Sequence, residues 1–319
     1  MKKNISILFF LIIIGAELYS QCFSSPGNPI GGNANLGNVE LKLLRFGIFY
    51  KYALTDKYLD GDKNTDFIYY DKANYNYIGN IIAYGLTNKL TIESECGYFI
   101  NKTVYYDKKL PYNLPEYSKK ANGLSSALLN IKYGIYNNNE KRIKYSASIG
   151  VKAPFNTKML SKNNVILPVD VQPSTGSFGI VAQSFLLKEN SLKALRFFMI
   201  NRYEINFENN ENYKYGNVFY YSLFISKHLH FRQQWISENW TAILQLRNEY
   251  RDRNLYNNNK IKGSGSILFY LSPQLNYSFK VKYNISVLTD IPLYQYYNDV
   301  QLANKFSILV NMTTDIVFK

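Results

Sequence analysis

Trp240-Thr241-Ala242-Ile243-Leu244-Gln245-Leu246-Arg247-Asn248-Glu249 is the stretch that decides the fold. Successive side chains of an extended chain point to opposite faces, so Trp240, Ala242, Leu244 and Leu246 share one side. Thr241, Gln245, Arg247 and Glu249 share the other, and a helix would scatter both sets around its axis. The result is a strand with one apolar face and one charged face. It is also about twice as long as the roughly 5–6 residues usual for a strand in a soluble sheet.

The same design recurs along the chain. Leu44, Phe46, Ile48, Tyr50 and Tyr52 oppose Arg45, Gly47, Phe49 and Lys51. Leu90, Ile92, Tyr98 and Ile100 oppose Thr91, Glu93 and Glu95, and Ile143, Tyr145, Ala147, Ile149 and Val151 oppose Lys144, Ser146, Ser148 and Lys152. Val281, Tyr283, Ile285 and Val287 oppose Lys282, Asn284 and Ser286. The last run sets Phe306, Ile308, Val310 and Met312 against Lys305, Ser307, Asn311 and Asp315. Segments 75–86, 177–187 and 215–226 have strand composition but carry apolar residues on both faces, so their phase stays open.

Connections between these runs alternate in length. Short ones fall at 86–89, 136–141, 188–192 and 276–279, with a longer one at 227–235. Long ones fall at 53–73, 103–122 and 156–174, and shorter ones near 206–212, 252–260 and 294–300. A sandwich core is dry and closed by apolar faces, which excludes strands whose second face repeatedly carries Lys, Arg and Glu. An all-β, antiparallel transmembrane barrel of outer-membrane type, with about 12 strands, accommodates all of it: apolar residues toward lipid, polar residues toward a wet lumen, and short periplasmic turns alternating with longer outer loops. The composition agrees, because 46% hydrophobic residues with 30 Tyr and 20 Phe would suit a lipid-facing wall with aromatic girdles.

Ahead of the strands, Met1-Lys2-Lys3-Asn4 and the apolar run from Ile5 to Gly15 read as a signal peptide. Glu17 ends that run well short of a spanning helix. The domain plan is therefore a signal segment 1–20, a periplasmic lead-in or partial plug 21–38, and a barrel 39–319, which puts the chain in the cell outer membrane. Two cysteines, Cys22 and Cys96, lie far apart, and the sequence leaves open whether they pair.

Few groups invite chemistry. His228 and His230 share a face in what reads as a short turn, without a nucleophile or further metal ligands nearby. Glu93 and Glu95 share a strand face and read as members of an ion network rather than an acid–base pair. Asp56, Asp60, Asp62, Asp66 and Asp71 lack the spacing of a calcium loop. The sequence therefore points to no catalytic residue, no metal and no cofactor, and the chain reads as a non-enzyme. Arg45, Glu93, Glu95, Lys132, Lys144, Lys152, Arg202, Glu204, Gln245, Arg247 and Glu249 take faces read as inward, and these are the candidate lumen-lining residues. The formal charge of +14 sits mainly on strands and short turns, because the outer loops are close to neutral. This suggests a positive lumen that prefers anions. Export argues against nucleic acid as the partner of that charge.

Several stretches resemble one family, the outer-membrane barrels known as transporters of the phenol-degradation meta-pathway type, in a Bacteroidota-like branch. Tyr84-Gly85-Leu86-Thr87-Asn88-Lys89-Leu90 resembles that family's first short turn. Gly123-Leu124-Ser125-Ser126-Ala127 resembles its Gly-Leu-Gly-Asp strand, with Ser125-Ser126 in place of Gly-Asp. Gly150-Val151-Lys152-Ala153-Pro154, Leu167-Pro168-Val169-Asp170-Val171, Ser272-Pro273-Gln274-Leu275, Pro292-Leu293-Tyr294-Gln295 and Asn28-Pro29-Ile30-Gly31-Gly32 resemble further family segments, in order. The resemblance implies uptake of hydrophobic or aromatic solutes and supplies no shared binding residues. The expected function is passive or gated uptake of small molecules, with outer-membrane lipid, the barrel-assembly machinery and a small solute as partners. The rival is a structural barrel filled by its own side chains, and Phe49, Leu128 and Leu268 fit either one.

Overall fold

Period-two alternation becomes a closed ring of antiparallel strands in the computed structural model, which describes residues 37–66, 69–107, 117–162, 164–190, 194–229, 239–279 and 282–318. The signal segment 1–20, most of the lead-in 21–38, Cys22, His230 and Val281 lie outside the described residues. The wall consists of β1 (Leu43–Gly61), β2 (Tyr70–Gly85), β3 (Leu90–Tyr106), β4 (Ser118–Leu124), β5 (Ser126–Asn138), β6 (Ile143–Pro154), β7 (Gly179–Asn190), β8 (Leu195–Asn206), β9 (Val218–His228), β10 (Trp240–Arg251), β11 (Ser266–Phe279) and β12 (Tyr283–Val317). Each pairs with its neighbour, β4 and β5 share β3 as partner, and β12 pairs with β1 to close the ring.

The closing element is longer than one crossing. β12 runs for 35 residues, of which Tyr283–Tyr297 pair with β11 and Tyr297–Val317 with β1. It doubles back at Asp299, where φ is +63°. Gln295 Nε2 donates to Asn304 O, and the Asp315 amide to Lys282 O, across the resulting hairpin. Eleven ring strands therefore cross the wall twelve times among the described residues. Arg45 seals the closure. It stands opposite Asp315 in the ladder and donates two parallel bonds of 2.7 Å to its carboxylate, the strong bidentate form of this pair.

Strands reach further than the sequence suggests at the long-loop rim. Residues 53–61, 70–73, 103–106 and 118–122 are strand rather than loop. Two bulges explain why phase is lost there. Between Leu54 and Lys57 the β1–β12 register shifts, so Asp56 and Lys305 leave the ladder and pair with each other. Lys305 is thus exposed, a correction to its inward placement. In β3 the register shifts between Phe99 and Lys102, and inward phase passes from odd to even residues.

Elsewhere the two faces separate as alternation requires. Leu244 is 42% exposed on the outer face, whereas Gln245 is 1% exposed. Leu244→Arg should therefore impair insertion, at a cost of about 2–4 kcal/mol near mid-bilayer, while Gln245→Arg should insert. A gel-shift assay of refolding into lipid vesicles checks this, and equal damage from both would reverse the faces of β10.

Candidate functional site

Glu95 and Arg202 build the middle of the lumen. They stand on β3 and β8, four wall positions apart, so their contact runs across the interior. Arg202 Nη1 donates to both Glu95 oxygens at 3.1 and 3.0 Å, and Nε donates to Glu204 Oε1 at 2.8 Å. Lys152 Nζ lies 3.5 Å from Glu204 Oε2 and also bonds Asn206 Oδ1. Beside them Arg251 Nη2 donates to Glu249 Oε1 at 3.0 Å, and Lys132 Nζ to Glu93 Oε2 at 2.7 Å.

A second hub lies nearer the barrel seam. Asp290 accepts from Arg247 at 3.0 Å, from Ser272 at 2.6 Å and from Ser307 at 2.6 Å, with Lys51 Nζ at 3.7 Å. Arg247 also lies 4.5 Å over the Tyr270 ring. Most groups in these two networks are buried, with Lys152 and Glu204 partly so, and charges withdrawn from water are tolerated only when paired and bonded in this way.

Above the first network sits a cavity of about 140 Å³. A water needs about 10–15 Å³, so the chamber has room for a small organic molecule. Its apolar lining includes Phe49, Tyr77, Phe99 and Leu128 and its charged lining Glu95, Lys152, Arg202, Glu204 and Arg251, with Leu128 standing between Glu95 and Lys152 in the ladder. Part of its lining comes from the connection between β6 and β7, which folds inward. There Asp170 is 3% exposed and Val171 fully buried, and the Gln172 side chain bonds the backbone of Leu160 and Leu167 while its carbonyl accepts from Lys102 Nζ. The glycine pair Gly79 and Gly97 seats the aromatic wall. A Cβ on Gly79 would sit 2.2 Å from the Phe49 ring, and one on Gly97 2.2 Å from the Tyr77 hydroxyl.

Toward the short turns the lumen is crossed by apolar side chains. Phe185, Leu187, Phe198, Ile200, Phe224 and Ile243 cluster on β7–β10, with Phe198 and Phe224 stacked at 4.3 Å. Ile81 on β2, at the opposite side of the ring, packs against this cluster and also against the cluster holding Phe49, Tyr77 and Phe99. An apolar bar thus runs from the chamber wall across the lumen. It is flanked by polar strips, Asn130, Ser146, Ser148 and Gln183 on one side and Gln274, Asn276, Ser286 and Asn311 on the other. The end of the lead-in reaches this level too, because the Val39 amide donates to buried Thr91 Oγ1 and a Cβ on Gly37 would lie 3.2 Å from Phe185.

Of the sequence candidates, Glu93, Glu95, Lys132, Lys152, Arg202, Glu204, Gln245, Arg247 and Glu249 lie inside the ring. Only Glu95, Lys152, Arg202 and Glu204 meet at the chamber. Arg45 serves the seam. Lys144 has inward phase but is exposed beside the turn and lines no buried part of the lumen. The lumen candidates read from sequence omit Lys51, although it stands on the polar face of its run, and sequence reasoning missed Lys102, Arg251, Asp170 and Asp290. Lys51 and Asp290 were legible from alternation; Lys102 was hidden by the bulge.

Those additions overturn the surplus of positive charge in the lumen. Among the described residues, Lys51, Lys102, Lys132, Lys152, Arg202, Arg247 and Arg251 stand inside against Glu93, Glu95, Asp170, Glu204, Glu249 and Asp290, a near balance. Positive charge collects instead at the short-turn rim. There Lys42, Lys89, Lys141, Arg142, Lys144, Lys188, Arg196, Lys227 and Lys282 are exposed, against Glu40, Glu140 and Glu189. His228 also lies there, its Nδ1 3.3 Å from Thr241 Oγ1.

An outer-membrane channel from Pseudomonas putida F1 matches this architecture with a TM-score of 0.69 at 11% sequence identity, over 90% of this chain and all of that one. The NanC and KdgM porins match at 0.45 and 0.40, each at 10% identity over 84% of this chain and 98% of theirs. No protein-family model matches the sequence, and no curated protein does. The first of these structures establishes the fold: this chain is a transmembrane β-barrel of outer-membrane type.

Proposed function

We propose that this barrel sits in the outer membrane and lets small solutes with an apolar part enter the cell by diffusion. The carrying observation is the contiguous apolar packing that leads from Phe49, Tyr77 and Phe99, which line the chamber, through Ile81 to Phe198 and Phe224. A solute slides its apolar part along this bar while its polar part stays hydrated by the flanking strips and the ion network. Ligand pockets combine these features, a mostly apolar lining with a few placed polar groups. Such a route fits the resemblance of the sequence to transporters of hydrophobic and aromatic compounds. The charge balance favours neither anions nor cations, so ion selectivity should be weak.

The test is uptake into liposomes carrying the purified barrel, with an aromatic solute and a sugar of similar size compared at equal gradients. The aromatic solute should enter faster relative to protein-free liposomes. Faster sugar entry would replace this reading with a general porin, and no entry of either would leave a structural barrel.

A further inference from the structure

We infer that the outer face of the barrel at the short-turn rim carries a binding site for an anionic phospholipid, centred on Lys188 and Lys227. Both lysines are exposed, and both take the outward phase of their strands, β7 and β9. The ladder fixes what lies between them. Lys188 stands opposite Phe197, Phe197 opposite Ile225, and Leu195 opposite Lys227. Phe197 and Ile225 are 46% and 39% exposed on the lipid face. Two strand spacings and a two-residue offset place the lysine backbones about 12 Å apart, near enough for two long, flexible ammonium arms to converge on one phosphate.

Other features make the patch a headgroup site rather than a scatter of charge. Lys188 Nζ donates to Lys141 O on the β5–β6 turn, which holds its ammonium at the level of the rim; two further N–H donors remain on it, and its flexible stem lets it swing from that carbonyl toward Lys227 when a phosphate bridges the two. Lys227 stands opposite Ala242 on β10, two residues from Trp240, whose ring meets Tyr277 at 4.8 Å. Trp and Tyr mark the depth of the headgroups, so the two ammonium groups lie at the level of lipid phosphate with Phe197 and Ile225 below as a floor for the acyl chains. The surrounding rim is strongly basic, whereas the long-loop rim mixes Asp56, Asp60, Asp62 and Asp71 with its lysines. A basic rim attracts anionic lipid over zwitterionic lipid, and salt screens that attraction.

Native mass spectrometry of the barrel titrated in detergent with phosphatidylglycerol, phosphatidylcholine and inorganic phosphate tests the site. The unmodified protein should hold phosphatidylglycerol more tightly than phosphatidylcholine. Lys188→Gln with Lys227→Gln should weaken phosphatidylglycerol on the order of ten- to thirtyfold. Lys260→Gln with Lys262→Gln at the other rim should change nothing. The lipid-induced rise in the thermal midpoint should vanish in about 1 M salt, where the Debye length is about 3 Å. Equal affinity for phosphatidylcholine, full retention in the Lys188/Lys227 variant, or the same rise with inorganic phosphate would each overturn the site.

Discussion

Replacing Arg202 by alanine is expected to lower the unfolding free energy by about 3 kcal/mol, near the lower end of the cost of breaking a buried ion pair. Arg202 is 5% exposed and supplies three donors, two to Glu95 and one to Glu204. Without it the two carboxylates face each other across the lumen, and only the Lys152 side of Glu204 keeps a cation. Water in the adjoining chamber relieves part of that repulsion, which is why the lower end of the range applies. Arg202→Ala combined with Glu95→Gln and Glu204→Gln removes the orphaned charges and should recover most of the loss. Arg202→Lys should recover little, since an ammonium cannot reproduce the planar fork that serves both carboxylates. Denaturant midpoints followed by tryptophan fluorescence in lipid vesicles measure all three variants. If the single alanine variant is no less stable than the triple, the network is solvated and stabilises nothing.

The wall of this barrel was legible residue by residue wherever alternation ran unbroken. Leu244 and Gln245 separate because lipid and lumen impose opposite solvents on adjacent positions. Legibility failed where one residue entered or left the ladder: Lys102 turns inward and Lys305 outward past bulges that leave no mark in composition. It failed differently at 177–187 and 215–226, whose two apolar faces gave no phase. The reason is now visible. Phe185, Leu187 and Phe224 are apolar and inward because Ile81 meets their cluster from the far wall, and a strand read alone holds no information about a partner across the lumen. Asp170 was similarly hidden, because nothing in a long outer connection tells whether it folds out into solvent or back into the barrel. The short-turn rim presents the opposite case. Sequence places Lys89 and Lys227 on that rim, but it leaves the remaining positive charge to the lumen or the interfaces, and in the lumen Asp170 and Asp290 offset it.

Phe198→Ala with Phe224→Ala should move two transport readouts in opposite directions. The stacked rings form the middle of the apolar bar, and truncating both opens a gap between the polar strips on either side. Water and ions gain a wider path, so single-channel conductance in KCl should rise several-fold. An aromatic solute loses the surface it slides along; losing about half of the roughly 1.5–3 kcal/mol gained by burying one such ring amounts to about three- to tenfold in occupancy. Its entry into liposomes should fall accordingly. Each truncation in a dry core would cost about 3–5 kcal/mol, but here the gap opens onto water, and a gel-shift assay confirms that the barrel is folded before transport is read. Phe185→Leu, which keeps an apolar side chain in the bar, should leave both readouts near those of the unmodified protein. A rise in both ion conductance and aromatic entry would make the bar a mere obstruction, with the route elsewhere in the lumen. No change in either would mean that nothing passes this level of the barrel, and the structural role would then take the place of transport.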